Sequence, residues 1–225
     1  MANRITHLLS IACVAAAAAG CSASPTARFY TLASTVTAAD APPTAHATVM
    51  VGPISIPATV DRPQFVVQAA PNRVEFDEFH RWAAPLSDGI ARAVAGNLAV
   101  LLGTPEVAAA PIANFNPAYR VTINVQRFDS IPGDAVELEA VWTVRQTASG
   151  DTRSGRTASR EAAHGTEFDA LAAAHSHALA TLSGDIAAAI RAAAADAESK
   201  SPQTPKTKSH GRKQPGHSGA RSKRD

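Results

Sequence analysis

The sequence predicts a single α/β domain in which a mixed β-sheet is packed by two main helices, about 86–102 and 167–197. Three observations carry that expectation. Residues 135–146 alternate, with Val136, Leu138, Ala140, Trp142 and Val144 on one side and Glu137, Glu139, Val141, Thr143 and Arg145 on the other, the period of a half-buried strand. Two other segments repeat apolar residues every three or four positions, the period of an amphipathic helix. Short β-rich stretches interrupted by Pro, Gly and Asn fill most of the rest.

In chain order, residues 28–32 (Arg-Phe-Tyr-Thr-Leu) read as a short strand, and residues 34–47, centred on Pro42-Pro43, as a loose connection. Residues 48–56 are β-rich, with a bulge or bend expected at Gly52-Pro53. Residues 64–69 and 73–79 are separated by Ala70-Pro71-Asn72, a hairpin spacing. Trp82 is expected to be a packing anchor ahead of the first helix, which starts after Pro85 and stops before Gly103 and Pro105. The stripe of that helix is Leu86, Ile90, Val94, Leu98 and Leu101. Residues 119–128 put Val121, Ile123 and Val125 on one face, and the polar residues 152–162 read as an edge strand after a turn at Ser149-Gly150-Asp151. The second helix is expected after Gly165, with Thr166 as N-cap and Asp169 three residues on, much like a capping box. Its stripe is Phe168, Leu171, His175, Leu179, Leu182, Ile186 and Ile190, and Ala, a strong helix former of little bulk, fills most other positions.

The N-terminus carries an address. Arg4 precedes an apolar run, residues 8–19, of about 12 residues, whereas roughly 20 are needed to span a bilayer. The run ends in Ala18-Ala19-Gly20-Cys21, small residues before a Cys, which resembles the bacterial lipobox with Ala18 where Leu is usual. Residues 1–20 are therefore expected to be a cleaved signal peptide and Cys21 the lipid-attachment site, modified with a diacylglycerol and a further acyl chain such as palmitate. Such an anchor exceeds what stable membrane attachment needs. Cys13 lies in the removed segment, so the mature chain has one Cys and no partner for an internal disulfide. Ser22, where an Asp would mark inner-membrane retention, favours the outer membrane.

Charge divides the rest. Residues 21–198 hold 12 Arg, no Lys and 18 acids, net near −6, whereas residues 199–225 hold eight Lys or Arg and one acid. That tail has no side chain larger than Ala that is aliphatic or aromatic, so it is expected to be disordered.

Catalytic constellations are missing: the sequence has no G-x-S-x-G, P-loop, G-x-G-x-x-G or H-E-x-x-H. His175 and His177, two apart on a helix, point about 200° from one another and cannot chelate one metal. Glu75 and Asp77 share a strand face beside Glu78 and His80; an acid–base pair is conceivable there, and a solvated face is the simpler reading. Trp142 reads as core. No enzyme activity, cofactor or metal is expected.

Several landmarks occur in one order: Phe29-Tyr30-Thr31-Leu32, then Val51-Gly52-Pro53-Ile54-Ser55-Ile56-Pro57, then Asp61-Arg62-Pro63-Gln64-Phe65-Val66. Glu78-Phe79-His80-Arg81-Trp82-Ala83-Ala84-Pro85-Leu86 and Asn97-Leu98-Ala99-Val100-Leu101-Leu102 follow, and then the strand with Trp142. This order resembles the PqiC/YmbA family, the ABC-type transport auxiliary lipoproteins; Ala84 and Ala58-Thr59 depart from its usual pattern. The resemblance implies an accessory role in lipid traffic across the envelope of a two-membrane bacterium. Implied partners are a membrane permease, an ATPase and an MCE-type periplasmic protein, and the reading allows a homo-oligomer. A lipoprotein activator of peptidoglycan synthesis is the alternative, and nucleic acid is not an expected partner. Pro53, Pro57, Pro63 and Pro85 are expected to shape strand ends and the helix start. The resulting map is a signal peptide (1–20), a lipidated tether (21–27), an auxiliary-lipoprotein domain (28–198) and a basic tail (199–225).

Overall fold

The computed structural model describes residues 26–37, 47–110 and 112–200. The strands are β1 (Arg28–Tyr30), β2 (Val49–Ser55), β3 (Gln64–Ala70), β4 (Arg73–Trp82), β5 (Val107–Ala109), β6 (Tyr119–Ile131), β7 (Ala135–Gln146) and β8 (Thr152–Ala162); the helices are α1 (Leu86–Leu102) and α2 (Phe168–Lys200). The fold is α/β, as expected, but the strands form two sheets rather than one. A three-stranded sheet has the order β1-β4-β3 and a five-stranded sheet the order β5-β2-β6-β7-β8. Strand β5 is too short to show a period in sequence; it becomes a strand by pairing in parallel with β2.

The β6-β7-β8 meander is antiparallel, and β2 runs parallel to both of its neighbours. Both helices pack against the large sheet and against each other, α1 on β2 and β5, α2 on β7 and β8. The alternation of β7 is realised, with Val136, Leu138, Ala140, Trp142 and Val144 buried. The opposite face holds a lattice of exposed ion pairs, among them Arg127 with Glu137 at 2.8 Å and Arg160 with Asp134 at 2.6 Å. Each such pair contributes little, about 0–1 kcal/mol.

Two irregularities aim the core. The register of β2 on β6 shifts between Val51 and Ile54, at the expected Gly52-Pro53 bend. Strand β6 shifts against β7 between Val125 and Arg127. Before the shift Tyr119, Val121, Ile123 and Val125 face inward; after it Phe128 and Ser130 do. One extra residue reverses the alternation, as a bulge must.

Helix α1 has the predicted bounds. Its last buried residue is Leu102, whereas Leu101 is only partly buried, a correction to the predicted stripe. Gly103 closes it in the left-handed region at φ 62°, donating to the Val100 carbonyl while Thr104 donates to that of Ala99, a Schellman arrangement. Helix α2 begins at Phe168, and the Glu167 carbonyl accepts from Ala170 and Leu171. The N-cap position therefore falls on Glu167, one residue beyond the Thr166 expected. The helix runs to Lys200, past the expected end at 197. Among the described residues it is long and apolar enough to cross a membrane, but its stripe from Leu171 to Ile190 is buried in the domain core.

Part of the segment expected to be loose, residues 34–37, is tied down; residues 38–46 lie outside the described residues. The Asn97 carbonyl oxygen accepts from Ser34 Oγ at 2.7 Å, Thr35 N at 3.1 Å and Val36 N at 3.3 Å. Its amide nitrogen donates to Ser183 Oγ at 3.3 Å, and Ala33 N donates to Ser176 Oγ at 3.2 Å. Residues 33–36 thus form a strap over both helices. Gly96 lets it approach, since a Cβ there would meet the Ser34 Cβ at 3.0 Å.

Candidate functional site

The sequence landmarks converge at the small sheet. β1 pairs in parallel with β4, placing Phe29 beside Arg81 and Tyr30 beside Trp82. Trp82 N donates to the Pro63 carbonyl and Ala83 N to the Tyr30 carbonyl, each at 2.8 Å. The Trp82 ring stacks on Phe65 with centroids 4.4 Å apart, and Phe65 meets Tyr30 and Phe168 edge-on at 5.7 and 5.1 Å. Trp82 is the packing anchor expected, and it is the last residue of β4, which runs past the expected strand end at 79. Around it, Asp61, Arg62 and Pro63 face Trp82, Ala84 and Pro85 across a cleft of about 390 Å³. Arg62 Nε is buried there without an acceptor among the described residues, and the guanidinium carbon lies 4.0 Å over the Phe76 ring.

The prolines act as expected. Pro53 lies in the β2 bend, the Pro57 carbonyl accepts from Val60 and Asp61 in a turn, Pro63 precedes β3, and Pro85 precedes α1 and accepts from Asp88 and Gly89.

Of Glu75, Asp77, Glu78 and His80 on β4, the structure pairs two with each other. Asp77 Oδ1 lies 2.9 Å from His80 Nδ1 and also accepts from the backbone of Phe79 and His80 at 2.8 Å each. Partial burial pushes the Asp77 carboxyl up, but these three hydrogen bonds outweigh it and hold the group below the usual carboxylate range. The His80 ring stacks on Phe168 at 4.0 Å. Glu75 lies 3.7 Å from Arg73, and Glu78 accepts from Gln64. This pair fastens a bulged strand: β3 register jumps from Arg81 to Asp77 across residues 78–80.

His175 and His177 are not brought together. His177 is exposed, whereas His175 is fully buried, stacked on Phe128 at 3.8 Å with Nε2 2.8 Å from Ser130 Oγ. A serine–histidine contact suggests a nucleophile and its base, yet Nδ1 has no partner among the described residues and burial pushes the imidazole down to about 3. A base so weak, with no carboxylate to orient it, does not suit proton transfer near neutrality. The pair is core packing. Ser130 carries no mark in the sequence; Asn97 opens a landmark segment, and a polar residue one position before Leu98 in an apolar stripe is the signal for its buried role.

A cleft of about 820 Å³ lies between the β7–β8 turn and the end of α2. Its charges pair across it, Arg153 with Asp196 and Lys200 with Asp151. Among the described residues no group of three or more His, Cys, Asp or Glu is placed to hold a metal. Cys21, the expected lipid-attachment site, lies outside the described residues.

Known proteins place the fold and the family. No curated protein matches the chain. A crystal structure of a Xanthomonas campestris protein of the family DUF330 is 19% identical, with a TM-score of 0.60, covering 77% of this chain and 100% of its own. A crystal structure of an uncharacterized protein is 18% identical, with a TM-score of 0.58, covering 73% of this chain and 99% of its own. At these identities the likeness is one of fold. The sequence itself matches the family described as "ABC-type transport auxiliary lipoprotein component" over residues 30–187, a span that holds β2 to β8, α1 and the first part of α2. This chain belongs to the family of ABC-type transport auxiliary lipoprotein components.

Proposed function

We propose that the protein is the lipid-anchored accessory subunit of an MCE-type ABC system that carries lipids across the cell envelope. It sits on the periplasmic side of the outer membrane through Cys21, works as a scaffold rather than a catalyst, and meets an MCE-type protein that bridges to the permease and ATPase. The family match over residues 30–187 carries this reading. The geometry supports a docking role: two separate landmark segments, residues 61–63 and 82–86, meet at one cleft of about 390 Å³, and Trp82 in its wall is held by stacking on the buried Phe65.

Two experiments test it. Labelling in cells with a palmitate analogue should mark the wild type and not Cys21→Ser; equal labelling of both would remove the anchor. Crosslinking and purification from detergent-solubilised membranes should recover MCE-type and permease components. Recovery should drop when Ala84→Arg fills the cleft. Recovery of peptidoglycan synthases instead would overturn the transport role.

A further inference from the structure

The three-stranded sheet leaves apolar side chains in solvent. Phe29 is 64% exposed, Phe76 44%, Phe79 43% and Val74 43%. Register places them together. Phe29 lies beside Arg81, and Arg81 is opposite Gln64. Val66, buried against the core, is opposite Phe76, and Gln68 is opposite Val74, two residues before Phe76 on β4. Phe79, two residues before Arg81, stands on the same strand while its neighbour His80 turns inward onto Phe168. Arg62 and Arg81 stand among these side chains, and Glu78 is engaged by Gln64. Aromatic rings mixed with arginines suit the boundary between lipid headgroups and acyl chains, where rings bury and guanidinium groups reach the phosphates.

The position of the anchor identifies what covers this face. Six residues separate Cys21 from Arg28, the first residue of β1. A fully extended chain cannot place Arg28 farther than about 25 Å from the Cys21 Cα. Phe29 follows immediately and Phe79 lies on the adjoining strand. With Cys21 as the anchor, the tether thus keeps the start of β1, next to Phe29, within about 25 Å of it.

We propose that the face bearing Phe29, Phe76 and Phe79 seats on the lipid surface beside the anchor. It fixes the orientation of the domain on the membrane. This inference rests on the reading of Cys21 as the anchor.

The test uses the mature chain, residues 21–225, with Cys21→Ser, which has no cysteine left. An environment-sensitive dye is attached in turn through Phe29→Cys, Phe79→Cys and, on β8 at the edge of the large sheet, Ser154→Cys. Vesicles of phosphatidylcholine are used, so that the basic tail has little charge to bind. The dye at positions 29 and 79 should shift to the blue and be quenched by lipids spin-labelled near the headgroup, at least fivefold more than at position 154. A Phe29→Ser/Phe79→Ser variant, with unchanged circular dichroism and unfolding, should partition onto the vesicles at least fivefold less than its parent. Equal quenching at all three positions would overturn the proposal. So would a blue shift without vesicles that grows with protein concentration, because a second copy would then cover the face. Absence of palmitate labelling at Cys21 in cells counts against the anchor alone, since the vesicle assay uses a chain without it.

Discussion

The indole of Trp142 fills the space that a side chain at Gly155 would need. The two residues face each other across β7 and β8, and a Cβ on Gly155 would come within 2.3 Å of the Trp142 ring. The ring is held in place, because its N–H donates to Thr157 Oγ1 at 3.0 Å and that hydroxyl donates to Asp185 on α2 at 2.6 Å. It cannot move aside cheaply. Gly155→Ala should destabilise the domain by about 1–3 kcal/mol, the range for overpacking. Gly184 is the contrast: it lies inside α2 with nothing within 4 Å of its would-be Cβ. Gly184→Ala should stabilise by up to about 1 kcal/mol. Urea unfolding of both variants decides the matter, and a neutral Gly155→Ala would mean that the ring is loosely held.

Asn97 carries the strap. It is fully buried, and its carbonyl oxygen serves the Ser34 hydroxyl and two backbone N–H groups. Asn97→Ala would strand those donors, at a cost of about 1–3 kcal/mol for the desolvated groups. Limited proteolysis should then cut first within residues 33–37, before the core opens. A proteolysis pattern identical to wild type would show that Leu32, packed against the core, suffices to hold the strap.

Both helices and seven of the eight strands were legible in the sequence, because their periods run over enough residues to be read. Leu98 and Leu182, placed in the stripes, are fully buried, and each substitution to Ala should cost about 2–5 kcal/mol by thermal or urea unfolding. Leu101→Ala should cost less than Leu98→Ala, since Leu102 rather than Leu101 is fully buried at the end of α1. The split into two sheets was not legible: no local period reports which strands pair, and the β6 bulge reverses the inward face within one strand. Trp82 and Trp142 could be assigned to the core from their patterns. Their hydrogen-bond and stacking partners, Thr157 and Phe65, are distant in sequence and carry no mark of the contact.

Helix α2 reaches Lys200, so the basic tail to test begins at residue 201 and retains seven Lys or Arg. The exposed contact of Lys200 with Asp151 at 3.4 Å stays on the domain side of the cut. Truncation after Lys200 should leave the unfolding transition unchanged. If the tail attracts anionic headgroups, truncation should weaken binding of the Cys21→Ser chain to phosphatidylglycerol vesicles, and the difference should shrink with salt, because screening acts over about 8 Å at physiological ionic strength. A drop in melting temperature, or salt-insensitive binding, would assign the tail a different role.

His175 makes the domain acid-sensitive. Burial pushes its imidazole from the ordinary 6.5 to about 3, so the folded chain keeps it neutral across that window while the unfolded chain takes up a proton. The unfolded state binds more protons there, so stability falls as pH falls, by about 1.4 kcal/mol per pH unit once below the unfolded value. Asp77, held below the usual carboxylate range, keeps its charge over most of this window and adds no comparable slope above pH 5. His175→Gln offers Ser130 a hydrogen-bond partner and does not titrate. It should be less stable than wild type at pH 7.5, where the stacked imidazole on Phe128 is intact. Between pH 7.5 and 5.0 the wild type should lose about 2 kcal/mol more than the variant. Urea unfolding of both chains at the two pH values measures this directly, and parallel losses would mean that the folded domain admits a proton at His175, through water or a shifted Phe128.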